Sequence, residues 1–169
     1  MTPITTNLFS SRLRGFSLVE GLVALLVLSI GLLGLAALQT TSLQFNTGSY
    51  YRTQATLLAY DIIDRMRANG SAAIDGGIYD VPTTAAMNTA HGTYGSCKGS
   101  SCGCDTTACA SADMATYDIG SWYDRVVATL PDAQTNPPTI QIDASKQATI
   151  TIRWLERDMS WTQSWIVQL

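Results

Sequence analysis

The apolar residues follow a different pattern in each successive part of the chain. Phe16 opens an apolar run that lasts to Leu38 and contains a single charge, Glu20. A helix of this length rises about 35 Å, which is enough to cross a hydrocarbon core of about 30 Å. The run therefore predicts a transmembrane helix over residues 16–38.

An amphipathic pattern begins after this run. Apolar residues recur there at spacings of four, three, four and four, at Tyr51, Ala55, Leu58, Ile62 and Met66. This spacing places them on one side of a helix, and Asp61 and Arg65 form a favourable i,i+4 pair on it. We expect residues 39–70 to continue the membrane helix without a break and to end it at Asn69-Gly70.

The last hundred residues predict a small head domain over residues 71–169. Residues 71–115 are rich in Gly, Ser, Thr, Ala and Asp, which predicts a long surface loop with little regular structure. A short amphipathic helix is predicted from Ile119 to Leu130. Three strands of alternating apolar residues follow, at 139–142, 148–154 and 161–169. The chain is thus predicted to have an α+β fold, with the long helix packed on a small antiparallel sheet of about three to four strands.

The distribution of charge bears on the partners of the chain and on its orientation in a membrane. Charged residues are 14% of the chain, and residues 39–169 carry 12 acidic and 8 basic side chains. Because the basic residues form no cluster, we expect no nucleic-acid partner. Arg12 and Arg14 precede the apolar run, which predicts a cytoplasmic N-terminus, a span in the lipid bilayer and a head on the far side. A cleaved secretory signal is the alternative, since residues 34–36 imitate its cleavage site.

Glu20 is the most informative residue of the apolar run. An ionised carboxylate inside a membrane span costs several kcal/mol unless it is paired or close to water. One interpretation is that Glu20 lies at the cytoplasmic boundary and reaches water. The other is that it pairs with a cation. Because no Lys or Arg follows it within the span, that cation must come from outside the span or from a free chain terminus.

The segment Gly15-Phe16-Ser17-Leu18-Val19-Glu20 resembles the prepilin signature of type IV pilins and type II secretion pseudopilins. The resemblance implies that residues 1–15 are a leader peptide, which the prepilin peptidase cleaves after Gly15. It implies that Phe16 becomes the N-methylated first residue, and that Glu20 pairs with the terminal amine of a neighbouring subunit. The type IV pilin fold is implied as well.

Two further segments narrow the resemblance. Residues 22–39 and 59–69 are similar to the minor pilins called type IV pilus modification protein PilV. This implies a minor pilin that primes pilus assembly with other minor pilins and the major pilin, on the inner-membrane assembly platform. It further implies support of a tip adhesin, adhesion and twitching motility. The expected location is the inner membrane of a Gram-negative bacterium, and then the surface pilus.

Two other classes of protein share these features. A minor pseudopilin of a type II secretion system carries the same N-terminal signature, and its filament would move folded proteins through the outer membrane. A membrane-tethered binding protein that never polymerises is the third class, and in such a protein Glu20 would be dispensable.

The four cysteines all lie in the predicted loop, at Cys97, Cys102, Cys104 and Cys109. An even number of cysteines on an oxidising side of the membrane predicts disulfides and leaves three pairings open. Thiolates at this spacing are also ligands for zinc, which is the alternative. The bridged loop is expected to be either a staple for a segment without a core or a rigid element displayed to a partner.

The sequence contains no G-x-S-x-G, H-E-x-x-H, phosphate-loop or dinucleotide motif. We therefore expect no enzymatic activity, no metal and no cofactor. The four tryptophans alternate with Ile and Val, which favours core packing over a sugar-stacking surface. His91 lies in a predicted loop without a neighbouring ligand pattern, and it is assigned no role.

Overall fold

The computed structural model describes residues 17–70, 74–75, 77–97, 104 and 108–169. Its helices are α1 (Leu18–Asn69), α2 (Thr84–Cys97) and α3 (Ser111–Thr129), and its strands are β1 (Thr139–Ile142), β2 (Gln147–Glu156) and β3 (Met159–Gln168). The strands form one antiparallel sheet in the order β1-β2-β3. The predicted α+β fold with a long first helix and a three-stranded antiparallel sheet is confirmed.

Helix α1 continues from the apolar run into the amphipathic segment, as predicted. It ends at Asn69 because Gly70 adopts a φ of +80°, a left-handed conformation that glycine takes without a steric penalty. The chain divides into two compact units, residues 1–45 and residues 46–169.

In the first unit the side chains of α1 are exposed. Leu18 is 91% and Leu33 is 72% exposed, and Gly21 alone among the described residues of this unit is half-buried. The hydroxyls of Ser29, Thr40 and Thr41 donate to carbonyls four residues back at 2.7, 3.0 and 3.1 Å. These hydroxyls therefore need no water partner, which suits a helix surface that lies against lipid or other helices.

The second unit contains the hydrophobic core. Six residues on one side of α1 are buried there: Ala55, Leu58, Ala59, Ile62, Ile63 and Met66. They pack with the inward face of β2 and with α3, whose Trp122 is fully buried and donates from Nε1 to the carbonyl of Leu58 at 2.8 Å. The predicted apolar stripe of α1 and the predicted inward face of β2, formed by Ile150, Ile152 and Trp154, are confirmed.

The prediction of a long loop over residues 71–115 is wrong. It contains all of α2, and α3 begins at Ser111 rather than near Ile119. Helix α2 is built from small and polar residues, but its Met87 and Tyr94 are 0% and 5% exposed. Two buried residues seven positions apart hold this helix in place. Because the rest of the helix has few large apolar residues, its sequence shows no clear helical period.

The turns between the strands are tighter than predicted. Strands β2 and β3 are joined by two residues, Arg157 and Asp158, whose φ values are 52° and 61°. The turn between β1 and β2 depends on Asp143, whose Oδ1 accepts hydrogen bonds from the Ser145 hydroxyl at 2.7 Å and the Gln147 N–H at 2.8 Å. These hydrogen bonds, that of Ser145 first, lower the pKa of Asp143.

Candidate functional site

The predicted functional residue of the apolar helix, Glu20, lies in the first turn of α1 and is exposed. Its neighbours Val19 and Leu22 are 69% and 63% exposed. None of the ion pairs formed by the described residues includes Glu20. The predicted cleavage and methylation sites, Gly15 and Phe16, lie outside the described residues.

This arrangement places one carboxylate on a long, uncovered apolar surface. A surface of this kind requires lipid or the apolar helix of another chain to cover it. At Gly31 and Gly34 an added Cβ would meet nothing within 4 Å, so both positions leave room for the close approach of a second helix. A carboxylate covered in this way costs several kcal/mol unless a cation neutralises it.

Comparison with known families identifies the class of protein that carries this helix. The family described as "Prokaryotic N-terminal methylation motif" matches residues 10–36, a range that contains Glu20. The family described as "Type IV pilin Tt1218" matches residues 37–120. The chain is a type IV pilin. No curated protein and no solved structure matches it.

The pilin is therefore a structural protein and a substrate of the prepilin peptidase. By length and composition, α1 can cross a membrane, and its most apolar window of 18 residues has a mean hydropathy of 2.6. Together with the prepilin motif, this helix indicates membrane anchoring before assembly with other pilins into a pilus.

In the head, a buried polar network joins α1 to α3. Asp118 of α3 is 5% exposed, and its Oδ1 accepts a hydrogen bond from Arg65 Nη1 at 3.1 Å. Its Oδ2 accepts a hydrogen bond from the Tyr79 hydroxyl at 2.6 Å. Arg65 also pairs with Asp61 at 3.2 Å, which confirms the predicted i,i+4 pair, and Asp61 in turn binds Arg125. The guanidinium of Arg65 thus neutralises the buried carboxylate, and the hydroxyl of Tyr79 satisfies its second oxygen.

Burial, with the hydrogen bond to Asp118 next in size, raises the pKa of Tyr79 far above its ordinary value. Asn69 continues the network, because its Nδ2 donates to the Tyr79 hydroxyl at 3.1 Å and to the carbonyl of Ser111 at 2.8 Å. The last residue of α1 thus binds the first residue of α3. These contacts fix the end of the long helix against the head.

Neither Asp118 nor Tyr79 was predicted from the sequence to have a role. A signal was present for Asp118, because it lies four residues before Trp122 and so falls on the apolar stripe of α3. An acid on such a stripe indicates a buried, paired carboxylate. No local pattern marks Tyr79, which lies in a turn at residues 77–80 and meets Asp118 only in the folded chain.

A second junction involves the end of the β2–β3 hairpin. A Cβ added to Gly48 would lie 2.2 Å from Glu156 Oε1, so the carboxylate occupies the space that a side chain would fill. Arg52 lies one turn further along α1, with Nη2 4.0 Å from Glu156 Oε2 and its guanidinium 4.4 Å from the centre of the Trp161 ring. The glycine therefore lets the hairpin end approach α1 closely.

The cysteine prediction is confirmed for one pair. Cys104 and Cys109 form a disulfide, and their thiols are therefore not free to bind zinc. Cys102 and the side chain of Cys97 lie outside the described part of the structure. Of the three pairings that the sequence left open, only the one that joins Cys97 to Cys102 is compatible with the observed bridge.

His91 lies in α2 rather than in the predicted loop, and it contacts α3. Its Nε2 is 2.8 Å from Asp124 Oδ1, and the centre of its ring is 4.5 Å from that of Tyr123. Burial, followed by the nearby charge of Asp124, raises the pKa of Tyr123. The histidine therefore helps hold α2 against α3.

The tryptophans pack as predicted. Trp122 and Trp154 are buried, and Trp161 and Trp165 are half-buried against the same core. Among the tryptophans, only the partly covered rings of Trp161 and Trp165 could thus stack on a ligand from solution.

Proposed function

We propose that this protein is a minor pilin of the type IV pilus, which helps prime pilus assembly and thereby supports adhesion and twitching motility. The observation that carries the proposal is Glu20, which lies on an exposed apolar helix within the matched methylation motif and forms no ion pair with another described residue. A charge in this position costs several kcal/mol in an apolar environment unless a partner neutralises it.

The proposed partner of Glu20 is the new amino group of a neighbouring subunit. Cleavage after Gly15 by the prepilin peptidase would create that amine on Phe16, and methylation would leave it cationic. The amine of one chain would then pair with the carboxylate of the next. Because the two groups are different, a pair of subunits still has one free amine and one free carboxylate. Each of these can bind a further subunit, so such contacts extend into a filament rather than closing.

The assignment as a minor pilin is supported by the similarity of residues 22–39 and 59–69 to PilV. The second of these segments contains Asp61, Arg65 and Asn69, which hold α3 and Tyr79 against α1. In this proposal the leader spans residues 1–15, residues 16–38 form the membrane and filament-core helix, and residues 71–169 form most of the head.

The proposed partners are the other minor pilins, the major pilin and the assembly platform of the inner membrane of a Gram-negative bacterium. A tip adhesin is proposed to contact the cysteine-rich segment 97–109. The bridge between Cys104 and Cys109 supports this role, because a disulfide restricts the conformations of the loop that it closes and so lowers the entropic cost of binding.

The test is the substitution Glu20→Ala in cells that make pili, with Asp64→Ala as a matched control. Asp64 is an exposed acid on the same helix. The Glu20→Ala protein should be cleaved normally and begin with N-methylated Phe16 in an intact-mass measurement. Its amount in sheared pili should fall at least about tenfold, which corresponds to a loss of about 1.4 kcal/mol, whereas the control should assemble normally.

Three outcomes would contradict the proposal. Unchanged pilus number and twitching in the Glu20→Ala strain would refute the role of Glu20 in assembly. A mature protein that begins after residue 36 would identify a secretory signal instead of a prepilin leader. If removal of the chain reduced protein secretion and left pili intact, the pseudopilin alternative would be correct.

A further inference from the structure

The two outer edges of the sheet differ in whether their outward backbone groups are hydrogen-bonded. At the β1 edge, Val81 exchanges two hydrogen bonds with Ile140, at 2.8 and 3.1 Å. The neighbouring outward N–H of Ile142 donates to Asp80 Oδ1 at 3.0 Å. Residues 80–81 therefore satisfy the edge of β1, and no further strand can pair there.

Strand β3 forms the opposite edge. Its ten residues, MSWTQSWIVQ, contain no charged residue, no proline and no glycine. Natural proteins usually protect a long edge strand with such residues, because an open row of backbone groups pairs readily with another chain. The β3 edge lacks these protections.

The register shows which groups of β3 face outward. Glu156 and Met159 close a two-residue turn, and in such turns the closing pair is hydrogen-bonded. Hydrogen-bonded pairs then recur at every second residue. The residues that bind β2 are therefore odd-numbered, and the outward backbone groups belong to Ser160, Thr162, Ser164, Ile166 and Gln168.

Contacts at the end of the strand agree with this register. The N–H of Leu169 donates inward to the carbonyl of Lys146 at 3.1 Å, and the carbonyl of Gln168 accepts a hydrogen bond from Arg67 Nη2 at 3.3 Å. Arg67 thus binds the last outward carbonyl of β3, that of Gln168. The open part of the edge runs from Ser160 to Ile166, where the outward residues are exposed and no described residue bonds their backbone groups.

We propose that the β3 edge from Ser160 to Ile166 pairs with an extended, uncharged segment of another pilin subunit, which adds a fourth strand to the sheet. Only an extended backbone supplies donors and acceptors alternately at the spacing of a strand. The segment is uncharged because β3 offers no charge that could compensate one on a directly opposed residue.

The size of the edge identifies the partner as a tethered neighbour. Four outward residues form a short ladder, far smaller than the interfaces of about 1,200–2,000 Å² that hold freely diffusing proteins together, so the pairing does not persist between freely diffusing molecules. It persists where both partners are held together, because tethering raises the effective concentration. Subunits of one pilus are held in this way, and the inference therefore rests on the proposed function.

The experiment uses the full-length pilin in piliated cells, with a photo-crosslinking amino acid at Thr162. The control places the same group at Thr149, which lies on the same outer face of the sheet but in the central strand. Crosslinking to another pilin should be at least about fivefold stronger from position 162. Fragment masses should locate the crosslink in an extended segment of that pilin.

Two substitutions then test the edge itself. Ser164→Pro removes an outward N–H and leaves the ladder to β2 intact, so the unfolding midpoint should stay unchanged while the crosslink from position 162 is lost. Ser164→Lys should weaken the crosslink similarly, and it keeps the test valid if the proline disturbs folding. Gln163→Pro removes an inward N–H and should lower the unfolding midpoint, which checks the register.

The outcomes separate this inference from the proposed function. If the wild-type chain is present in sheared pili but position 162 crosslinks no better than position 149, the inference is overturned and the proposed function stands. A crosslink to a protein that is not a pilin, or to a helix of a pilin, also overturns the inference. If the wild-type chain is cleaved but absent from pili, the proposed function fails, and the inference fails with it.

Discussion

Helices α2 and α3 are in close contact at Gly120. A Cβ added there would lie 2.0 Å from Tyr94 Cγ and 2.3 Å from Tyr94 Cβ. Carbon atoms in contact are separated by about 3.5–4.0 Å, so the first carbons of the tyrosine side chain occupy the space of the missing methyl group. The substitution Gly120→Ala should therefore force Tyr94, which is 5% exposed, out of its buried position.

Two opposing effects set the size of this change. Alanine is better than glycine in a helix by about 1 kcal/mol. Loss of the buried tyrosine ring costs roughly 3 kcal/mol. The net effect of Gly120→Ala should be a loss of about 2 kcal/mol in the free energy of unfolding, or about 1 M in the urea midpoint at a typical slope.

The assay is urea unfolding of the mature pilin in detergent, followed by the fluorescence of the tryptophans, of which Trp122 is fully buried in α3. The control is Gly92→Ala in α2, where an added Cβ meets nothing within 4 Å. That substitution should stabilise the protein by up to about 1 kcal/mol. If Gly120→Ala were stabilising as well, the close contact between α2 and α3 would be refuted.

A double-mutant cycle sharpens the test. In a Tyr94→Gly background all three clashing carbons, Cβ, Cγ and Cδ1, are absent, so Gly120→Ala should change sign and stabilise by about 1 kcal/mol. The interaction free energy between the two positions should then be about 3 kcal/mol. Additive effects of the two substitutions would contradict the proposed cause.

Three further predictions concern the head. Because the pKa of Tyr79 is raised in the folded protein, the unfolded chain loses its proton first, above about pH 10, and stability should fall there by up to about 1.4 kcal/mol per pH unit. Tyr79→Phe should reduce this slope in urea unfolding at alkaline pH, and an unchanged slope would exclude Tyr79 as its source. Arg65→Leu leaves the carboxylate of Asp118 buried without its cation and should cost about 3 kcal/mol in the free energy of unfolding; a neutral effect would contradict the network. Cys104 and Cys109 should resist alkylation in the native protein until a reductant is added, as measured by peptide mass, and immediate labelling of either would contradict their bridge.

The sequence by itself determined the elements whose patterns are local. The membrane helix, its amphipathic continuation to Asn69 and the strands β1, β2 and β3 follow from hydrophobic periodicity, because each of them buries one face or needs an apolar environment. Glu20 could also be identified from the sequence, since a lone acid in an apolar run stands out wherever the rest of the chain lies. The Asp61–Arg65 pair is local for the same reason, one helical turn apart.

Only the tertiary structure decided where α2 lies and which polar groups of the head are buried. Helix α2 is too poor in large apolar residues to show its period, and it is held by contacts such as those of Tyr94 with α3 at Gly120. Tyr79 and Asp118 are 39 residues apart in the sequence and share a hydrogen bond only in the folded chain. The two edges of the sheet likewise differ only in the folded chain, where residues 80–81 close the β1 edge and no described residue pairs with the β3 edge from Ser160 to Ile166. In each case the free energy comes from a contact between distant segments, and no local pattern records it.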